Sequence, residues 1–528
     1  MTAENANFVP RPLPLRLPRL CVAVVGGSAA EMVEKAETLV RDNPLIEFRL
    51  DYLKSPTLAL PHLKRFLSYH PEVVAIGTCR RATNGGKFRG SLASEIDVLT
   101  KAADSGCQIV DLELQSAAAM KPADFDRLRN RASLILSFHD FRGTKKLEET
   151  FAKMRKFSAD YYKLATTAST LYDNVVMMKF LEQHGAEHSL IGVCMGEQGI
   201  ISRVLGLRAG NVFTFAAATP GDETAPGMVT AKILRDVYRI EQVDAATRVY
   251  GVAGDPVAHS LSPQMMNAAF RRENVNAVYL ALHAKTLDDL LKCVRDIPIH
   301  GLSVTMPYKE PITKELDNSD PMTQKTGACN TVVRAQDGKL YGFNTDVAGV
   351  VSPLETRVHL AESKVLVLGA GGAARAAVFG LKQRGAEVYI LNRTPAPAQK
   401  LARQAKAKVV KRTDLKKLSF DVIINATPVG MGGSKNSLLK VQEIKAKFVM
   451  DMVYGEAETR FLKLAKQAGA TPIAGLEMFV YQGARQFEIW TGKPAPVTDM
   501  QNEVLAAIAV RAAANGNGKK RGNGNHRK

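Results

Sequence analysis

The chain has 528 residues, 46% of them hydrophobic and 23% charged, with a formal net charge of +19. That length allows three or four domain-sized units of ordinary globular composition, and no apolar run approaches the roughly eighteen residues that cross a bilayer. The six cysteines are scattered without a CxxC pair, which argues against a disulfide framework or a metal site and favours reduced thiols in a cytosolic enzyme.

The first stretch, "MTAENANFVPRPLPLRLP" (1–18), is proline-stiffened and lacks the apolar core of a signal peptide, so it is read as a lead-in. From 19 to 243 eight short apolar runs follow: "CVAVV", "IEFRL", "VVAIGTC", "IVDLEL", "SLILSFH", "YYKLAT", "LIGVCM" and "VFTFAA". Segments with helical apolar spacing, such as "AAEMVEKAETLVRD", separate them. Eight strand–helix units in this span predict an α/β fold beginning with a (β/α)8 barrel.

Polar residues fall where such a barrel does its chemistry, at the carboxyl ends of strands. Glu47 and Arg49 lie on the second strand, Arg80 just past the third, Glu113 on the fourth, His139 at the end of the fifth, Lys163 on the sixth and Arg203 after the seventh. Each alone has a plain structural explanation, but seven on one rim point to a site. Lys163 sits in "ADYYKLATTAS", with no acidic neighbour in sequence after Asp160. A poorly hydrated amine near cations loses its proton readily and can attack a carbonyl to form a Schiff base. His139 on the adjacent strand is the candidate base, Glu113 its orienting carboxylate, and the arginines imply an anionic substrate.

The motifs "EFRLD", "TCRRATNGGKF", "DLEL", "SFHDF", "YKLA", "ISRVLG" and "TAPGM" together resemble type I 3-dehydroquinate dehydratase. The resemblance implies Lys163 as the Schiff-base lysine and His139 as general acid/base. It also implies Glu47, Arg49, Arg80, Arg203, Thr224 and Met228 around the substrate. The family motif usually has Ser and Gln where Thr224 and Met228 stand. Thr keeps the hydroxyl, whereas Met228 has no amide to donate.

After a short linker near "EQVDAAT", the second half starts at "RVYGVAGDPVAHSLSP" (248–263). Strand and helix segments over 248–350, completed by 476–510, predict one α/β domain. The span 351–475 predicts a Rossmann domain. Its signature is "KVLVLGAGGAARAAVFGL", where Gly369, Ala370, Gly371, Gly372, Ala373 and Ala374 link a buried strand to a helix whose first amides can meet a pyrophosphate. At the end of the next strand stand Asn392, Arg393 and Thr394 in place of the acidic residue that would hold a ribose diol. A guanidinium there favours a 2′-phosphate, hence NADP.

"AHSLSP", "SVTMPYKE", "GACNTV", "GFNTD", "NATPVGM" and "GLEMFVYQGARQFEIWTG" resemble shikimate dehydrogenase. That resemblance implies Lys309 and Asp346 as the proton-handling pair. Ser260, Ser262, Ser303, Thr305, Asn330, Tyr454 and Gln482 would form the substrate shell, with Met452 and Gly475 beside the cofactor. Ser303 replaces an asparagine common in bacterial members, and Val347 follows the "NTD" motif where a small or aromatic residue is usual. Both are candidates for tuning shikimate against quinate.

The two activities are consecutive: 3-dehydroquinate to 3-dehydroshikimate, then reduction to shikimate. A fusion in this order resembles the bifunctional enzymes best known from plants, with small molecules as partners and a monomeric, membrane-free state expected. The rival enzyme reading runs the pair catabolically from quinate. The rival from another class is a degenerate scaffold whose basic charge binds nucleic acid, against which stand both lysines, the histidine and the glycine turn. The segment 513–528, ending "NGNGKKRGNGNHRK", carries too little apolar surface for a core and is expected to be disordered.

Overall fold

The computed structural model describes residues 12–434, 436–455 and 458–522. They form two compact units, one within residues up to 247 together with 282–297, the other within 248–281 together with those from 298 onward. Residues 1–11 of the lead-in and 523–528 of the tail lie outside the described residues.

The first unit is built on eight parallel strands: β1 (Leu20–Val24), β2 (Leu45–Arg49), β3 (Val74–Thr78), β4 (Ile109–Glu113), β5 (Ser133–His139), β6 (Tyr161–Thr167), β7 (Leu190–Met195) and β8 (Thr214–Ala217). Their order is β7-β6-β5-β4-β3-β2-β1-β8, and a single bridge between Leu190 and Asn211 nearly closes the ring. Alternate residues of a strand face the same side. Near the strand starts these positions are apolar, with Leu45, Val74, Ile76, Ile109, Ile135, Ile191, Phe213 and Phe215 packed into one plug. Further along, the same parity turns polar: Glu47 and Arg49, Thr78, Asp111 and Glu113, Ser137 and His139, Lys163. The barrel therefore has a dry floor beneath a charged mouth.

The second unit holds two sheets. In the first, β9 (Arg248–Gly254), β10 (Ala277–His283), β11 (Ile299–Val304), β12 (Asn318–Ser319), β13 (Thr331–Arg334) and β14 (Leu340–Phe343) run in the mixed order β10-β9-β11-β13-β14-β12. The helices Gly475–Thr491 and Val497–Gly522 return to this sheet. Phe479, Phe487, Trp490, Met500 and Val504 share a core with Tyr250, Met265, Phe270 and Tyr279.

In the second sheet, β15 (Lys364–Leu368), β16 (Glu387–Leu391), β17 (Lys408–Val409), β18 (Phe420–Asn425), β19 (Ala446–Asp451) and β20 (Thr471–Ile473) are all parallel, in the order β17-β16-β15-β18-β19-β20. That order reverses direction between β15 and β18, the crevice where dinucleotides bind in such folds.

The last helix corrects one expectation. It continues to Gly522, past the point where the disordered segment was expected to begin. The helix formers of "EVLAAIAVRAAA" propagate the ladder into the Gly- and Asn-rich segment.

Candidate active sites

The mouth of the barrel is a cleft lined by Glu47, Arg49, Arg80, His139, Lys163, Arg203, Thr224 and Met228, with Ala165, Val193, Met195 and Phe215 as its apolar walls. All eight are residues expected from the sequence, and Glu113 lies directly behind them. Strand register explains the convergence: Lys163 pairs with Ser137 across β5 and β6, which puts His139 two residues further toward the mouth.

Lys163 is not isolated from acid. Its Nζ donates to Asp111 Oδ2 at 3.0 Å and lies 3.9 Å from the Phe215 ring centroid. The sequence expectation of an amine without a carboxylate fails because the partner comes from β4, 52 residues away. Asp111 also accepts from Arg80 Nη2 at 2.6 Å and from Ser137 Oγ at 2.6 Å. Burial works to raise its carboxyl, but Arg80, Lys163 and Ser137 hold it well below the usual carboxylate range.

His139 is fixed from two sides. Glu113 Oε2 lies 2.9 Å from Nδ1, and Glu113 Oε1 accepts the His139 backbone N–H at 3.0 Å. Arg80 Nη1 lies against both ring nitrogens, 2.6 Å from Nε2 and closer still to Nδ1. The Glu113 carboxylate, an acceptor only, assigns the ring proton to Nδ1. Burial, then the Arg80 charge, pushes the imidazole down to about 4 against the pull of Glu113. It is therefore neutral near pH 7 and able to take a proton.

The other cations differ in their bonding. Arg49 is held by a bidentate pair with Asp51, both contacts 2.9 Å, and Glu47 accepts from Thr78 at 2.7 Å. Arg203 is 1% exposed and has no carboxylate partner among the described residues. Its Nη2 reaches the Pro226 carbonyl at 3.3 Å and its Nε has no acceptor. Burial pushes it down to about 10, and an incoming anion would relieve that cost. Thr224 Oγ1 lies 3.5 Å from the Met228 sulfur, so Met228 serves as wall and weak acceptor.

In the second unit Lys309 Nζ donates to Asp346 Oδ2 at 2.6 Å, and Asn330 Nδ2 donates to Asp346 Oδ1 at 2.8 Å. Asn330 Oδ1 accepts from the Thr345 N–H at 2.7 Å, which locks the amide's orientation. Gln486 Nε2 holds the Asn330 carbonyl at 3.1 Å and Thr331 Oγ1 at 3.0 Å. Ser303 belongs to this buried relay: it donates to Gln486 Oε1 at 2.6 Å and accepts from the Tyr279 hydroxyl.

Ser260 Oγ accepts from the Ser262 N–H at 3.2 Å, Thr305 is half-buried at the end of β11, and Gln482 donates to the Phe479 carbonyl at 2.9 Å. Tyr454 is half-exposed and stacks on Phe479. Val347 packs on the second sheet's core and faces Gly380, where an added Cβ would approach it to 2.8 Å. Its role in the structure is helix packing.

The glycine turn fits a pyrophosphate. Gly369 has φ +116°, and an added Cβ there would meet Thr427 at 2.9 Å. A Cβ at Gly371 or Gly372 would meet nothing within 4 Å, so the turn offers bare backbone. The helix Gly372–Gln383 begins there, and the amides of Gly372, Ala373 and Ala374 precede the first helical hydrogen bond, from Arg375 to Gly371. The Ala374 side chain itself is fully buried in the core, and Ala370 is half-buried against it. Asn392 donates to the Thr394 carbonyl at 2.8 Å, while Arg393 is exposed beside it with no carboxylate partner among the described residues. The Met452 N–H donates to Asn425 at 3.0 Å, and Gly475 sits where a Cβ would strike the Val453 and Asp451 carbonyls at 2.6 and 2.7 Å.

Comparison with known sequences decides the family. The chain is 34% identical over 503 residues to the chloroplastic bifunctional 3-dehydroquinate dehydratase/shikimate dehydrogenase of Arabidopsis thaliana, covering 90% of this chain and 82% of that protein. The chain belongs to this bifunctional family. Its dehydratase half, residues 20–245, matches the profile of type I 3-dehydroquinase. Its dehydrogenase half matches the shikimate dehydrogenase substrate binding domain (252–332), shikimate / quinate 5-dehydrogenase (354–451) and the shikimate 5'-dehydrogenase C-terminal domain (475–505).

That half is also 41% identical over 281 residues to the shikimate dehydrogenase (NADP(+)) of Methanopyrus kandleri, covering 50% of this chain and 97% of that protein. Among solved structures, shikimate 5-dehydrogenase from Thermus thermophilus in complex with NADP(H) and shikimate is similar at 35% identity and a TM-score of 0.47, covering 49% of this chain and 100% of that one. The dehydroquinate dehydratase and shikimate dehydrogenase from S. pombe aligns at 24% identity and a TM-score of 0.44, covering 92% of this chain and 98% of that one.

Sequence reasoning missed Asp111, Asp51, Ser137 and Gln486 in the two halves of this bifunctional protein. Asp111 had a usable signal, since it precedes Glu113 by two on one strand and must face the same side. Gln486 follows Gln482 by one helical turn and was hidden behind it.

Proposed function

We propose that Lys163 and Lys309 carry two consecutive reactions, dehydration of 3-dehydroquinate and reduction of the resulting 3-dehydroshikimate to shikimate. The protein is a type I 3-dehydroquinate dehydratase joined to an NADP-dependent shikimate dehydrogenase. The observation that carries the first assignment is the Lys163 amine within a buried cluster of Arg80, Asp111, Glu113 and His139.

In the barrel, Arg203, which has no carboxylate partner among the described residues, receives the substrate carboxylate, and the Lys163 amine adds to the ketone carbon. Loss of water leaves an imine, whose positive nitrogen accepts electron density from the neighbouring carbon. Neutral His139 removes a proton from that carbon, with Glu113 holding its Nδ1–H. The imidazolium then protonates the β-hydroxyl, which leaves as water. A second water hydrolyses the imine and returns free Lys163, so the net change is loss of one water.

In the dehydrogenase half, the amides of Gly372 to Ala374 would hold the NADP pyrophosphate and Arg393 its 2′-phosphate. Bound NADPH supplies the hydride. Lys309 Nζ donates a proton to the substrate oxygen as it becomes a hydroxyl, Asp346 keeps Lys309 in place, and Asn330 orients Asp346.

The basic surface is read as attraction for these anionic intermediates rather than for nucleic acid. No helix among the described residues is long and apolar enough to cross a membrane. All six cysteines are buried and none is in a disulfide, which suits a cytosolic setting, and sedimentation would check the expected monomer. The test of function is direct: the purified chain given 3-dehydroquinate and NADPH forms shikimate. Turnover of neither substrate would overturn the reading.

A further inference from the structure

The helix Val497–Gly522 enters its core through Met500 and Val504, which pack with Met265, Met266 and Phe270 of the helix Ser262–Arg272. Residues three and four apart share a helix face. Ala507 and Ile508 continue the buried stripe from Val504, and the next member is Arg511. The stripe thus delivers a cation where an apolar residue would be expected.

The Arg511 guanidinium lies on the loop that precedes the helix Ser262–Arg272. Nη1 donates to the His259 carbonyl at 2.7 Å, and Nη2 lies 3.5 Å from the Ser260 carbonyl. Ser260 in turn accepts the Ser262 N–H, so one side chain grips the segment that presents both serine hydroxyls.

Ser260, Ser262 and Tyr454 are all neutral near pH 7, and Lys309 is engaged with Asp346 at 2.6 Å. The substrate nevertheless carries a carboxylate, whose desolvation calls for a counter-charge.

We infer that Arg511 is a further substrate-positioning residue of the dehydrogenase: it holds the loop that carries Ser260 and Ser262 and brings positive charge beside these two neutral hydroxyls, where the substrate carboxylate would be received. This rests on the assignment of Ser260, Ser262 and Tyr454 to the substrate shell.

The test uses Arg511→Gln and Arg511→Lys in the full chain, with dehydratase turnover of the same samples as the gauge of intact protein. Arg511→Gln raises KM for shikimate about tenfold, as expected when the loop loses its charge-assisted grip and the carboxylate loses a nearby positive charge. Its kcat and its KM for NADP+ stay within about twofold, and Arg511→Lys recovers most of the loss. Shikimate methyl ester, which lacks the charge, shows a clearly smaller rise in KM with Arg511→Gln, the part owed to the loosened loop alone. An unchanged shikimate KM, a parallel rise in the NADP+ KM, or an equal loss for the ester overturns the inference. A wild-type chain that fails to oxidise shikimate with NADP+ would instead remove the shell assignment, independently of any Arg511 variant.

Discussion

Lys163 and Lys309 each pair with an aspartate, at 3.0 and 2.6 Å, yet the two pairs sit in different surroundings. The Lys163 and Asp111 side chains are 7% and 0% exposed, and Arg80, Glu113 and His139 compensate them from neighbouring strands. Lys309 is 31% exposed, and a neutral asparagine completes the pair's bonding. A nearly closed ring of strands can bring four charges and a neutral imidazole together away from water, because each strand contributes one or two inward positions. The Lys309 side chain, by contrast, keeps part of its surface in water. The barrel tunes acidity through burial and charge, whereas the dehydrogenase relies on position.

The largest expected effects separate the two lysines outright. Lys163→Ala abolishes dehydration, by at least about 10³-fold, while shikimate oxidation by the same chain stays within about twofold. Lys309→Ala does the reverse, lowering oxidation by about 10²–10⁴-fold and sparing dehydration. Steady-state assays of both reactions on each variant check this. Loss of both activities from either change would erase the distinction between the sites.

Next in size is the difference in burial. Asp111→Asn leaves Lys163 and Arg80 without their shared carboxylate and should cost about 3–5 kcal/mol of barrel stability. Asp346→Asn, beside a half-exposed lysine, should cost less in stability but still impair turnover. Thermal unfolding followed alongside both activities distinguishes them, and equal shifts would contradict the contrast.

The sequence carried the barrel's rhythm because buried parallel strands are short apolar runs, and each named run overlaps an observed strand. It carried Lys163, His139 and Lys309 because charges inside such runs, or in set motifs, stand out. It did not carry the acid partners. Asp111 on β4 meets Lys163 on β6 across the intervening β5, and no local periodicity states which distant strand will face it. Asp51 was visible in "EFRLD", yet its bidentate hold on Arg49 depends on the tight turn after β2. The last helix outran its expected end for a related reason, since apolar anchoring at Met500 and Val504 stabilises a helix that composition alone disfavours.

A smaller effect tests the cofactor side. Arg393→Asp replaces the exposed cation with a group that repels a 2′-phosphate, so KM for NADP+ rises by about ten- to a hundredfold and use of NAD+ improves. A wild-type preference for NAD+ would contradict the role of Arg393.

The smallest effect is in pH dependence. His139 is pushed down to about 4, so its neutral, proton-accepting form persists well below the ordinary histidine range. As pH falls from 7 to 5 the dehydratase should lose little kcat/KM, and the acid limb should appear near pH 4. A limb near 6.5 would mean that burial and Arg80 do not set the imidazole's acidity.

The account's central claim is that Lys163, held by Asp111 beside His139, forms a covalent imine with the substrate of the first reaction. Borohydride added to the full chain with 3-dehydroquinate, followed by digestion and peptide mass analysis, tests it most directly. The account predicts one reduced adduct, on the peptide containing Lys163, loss of dehydratase activity in proportion to labelling, and undiminished shikimate oxidation. An adduct on another lysine, or full dehydratase activity after complete labelling of Lys163, would contradict it.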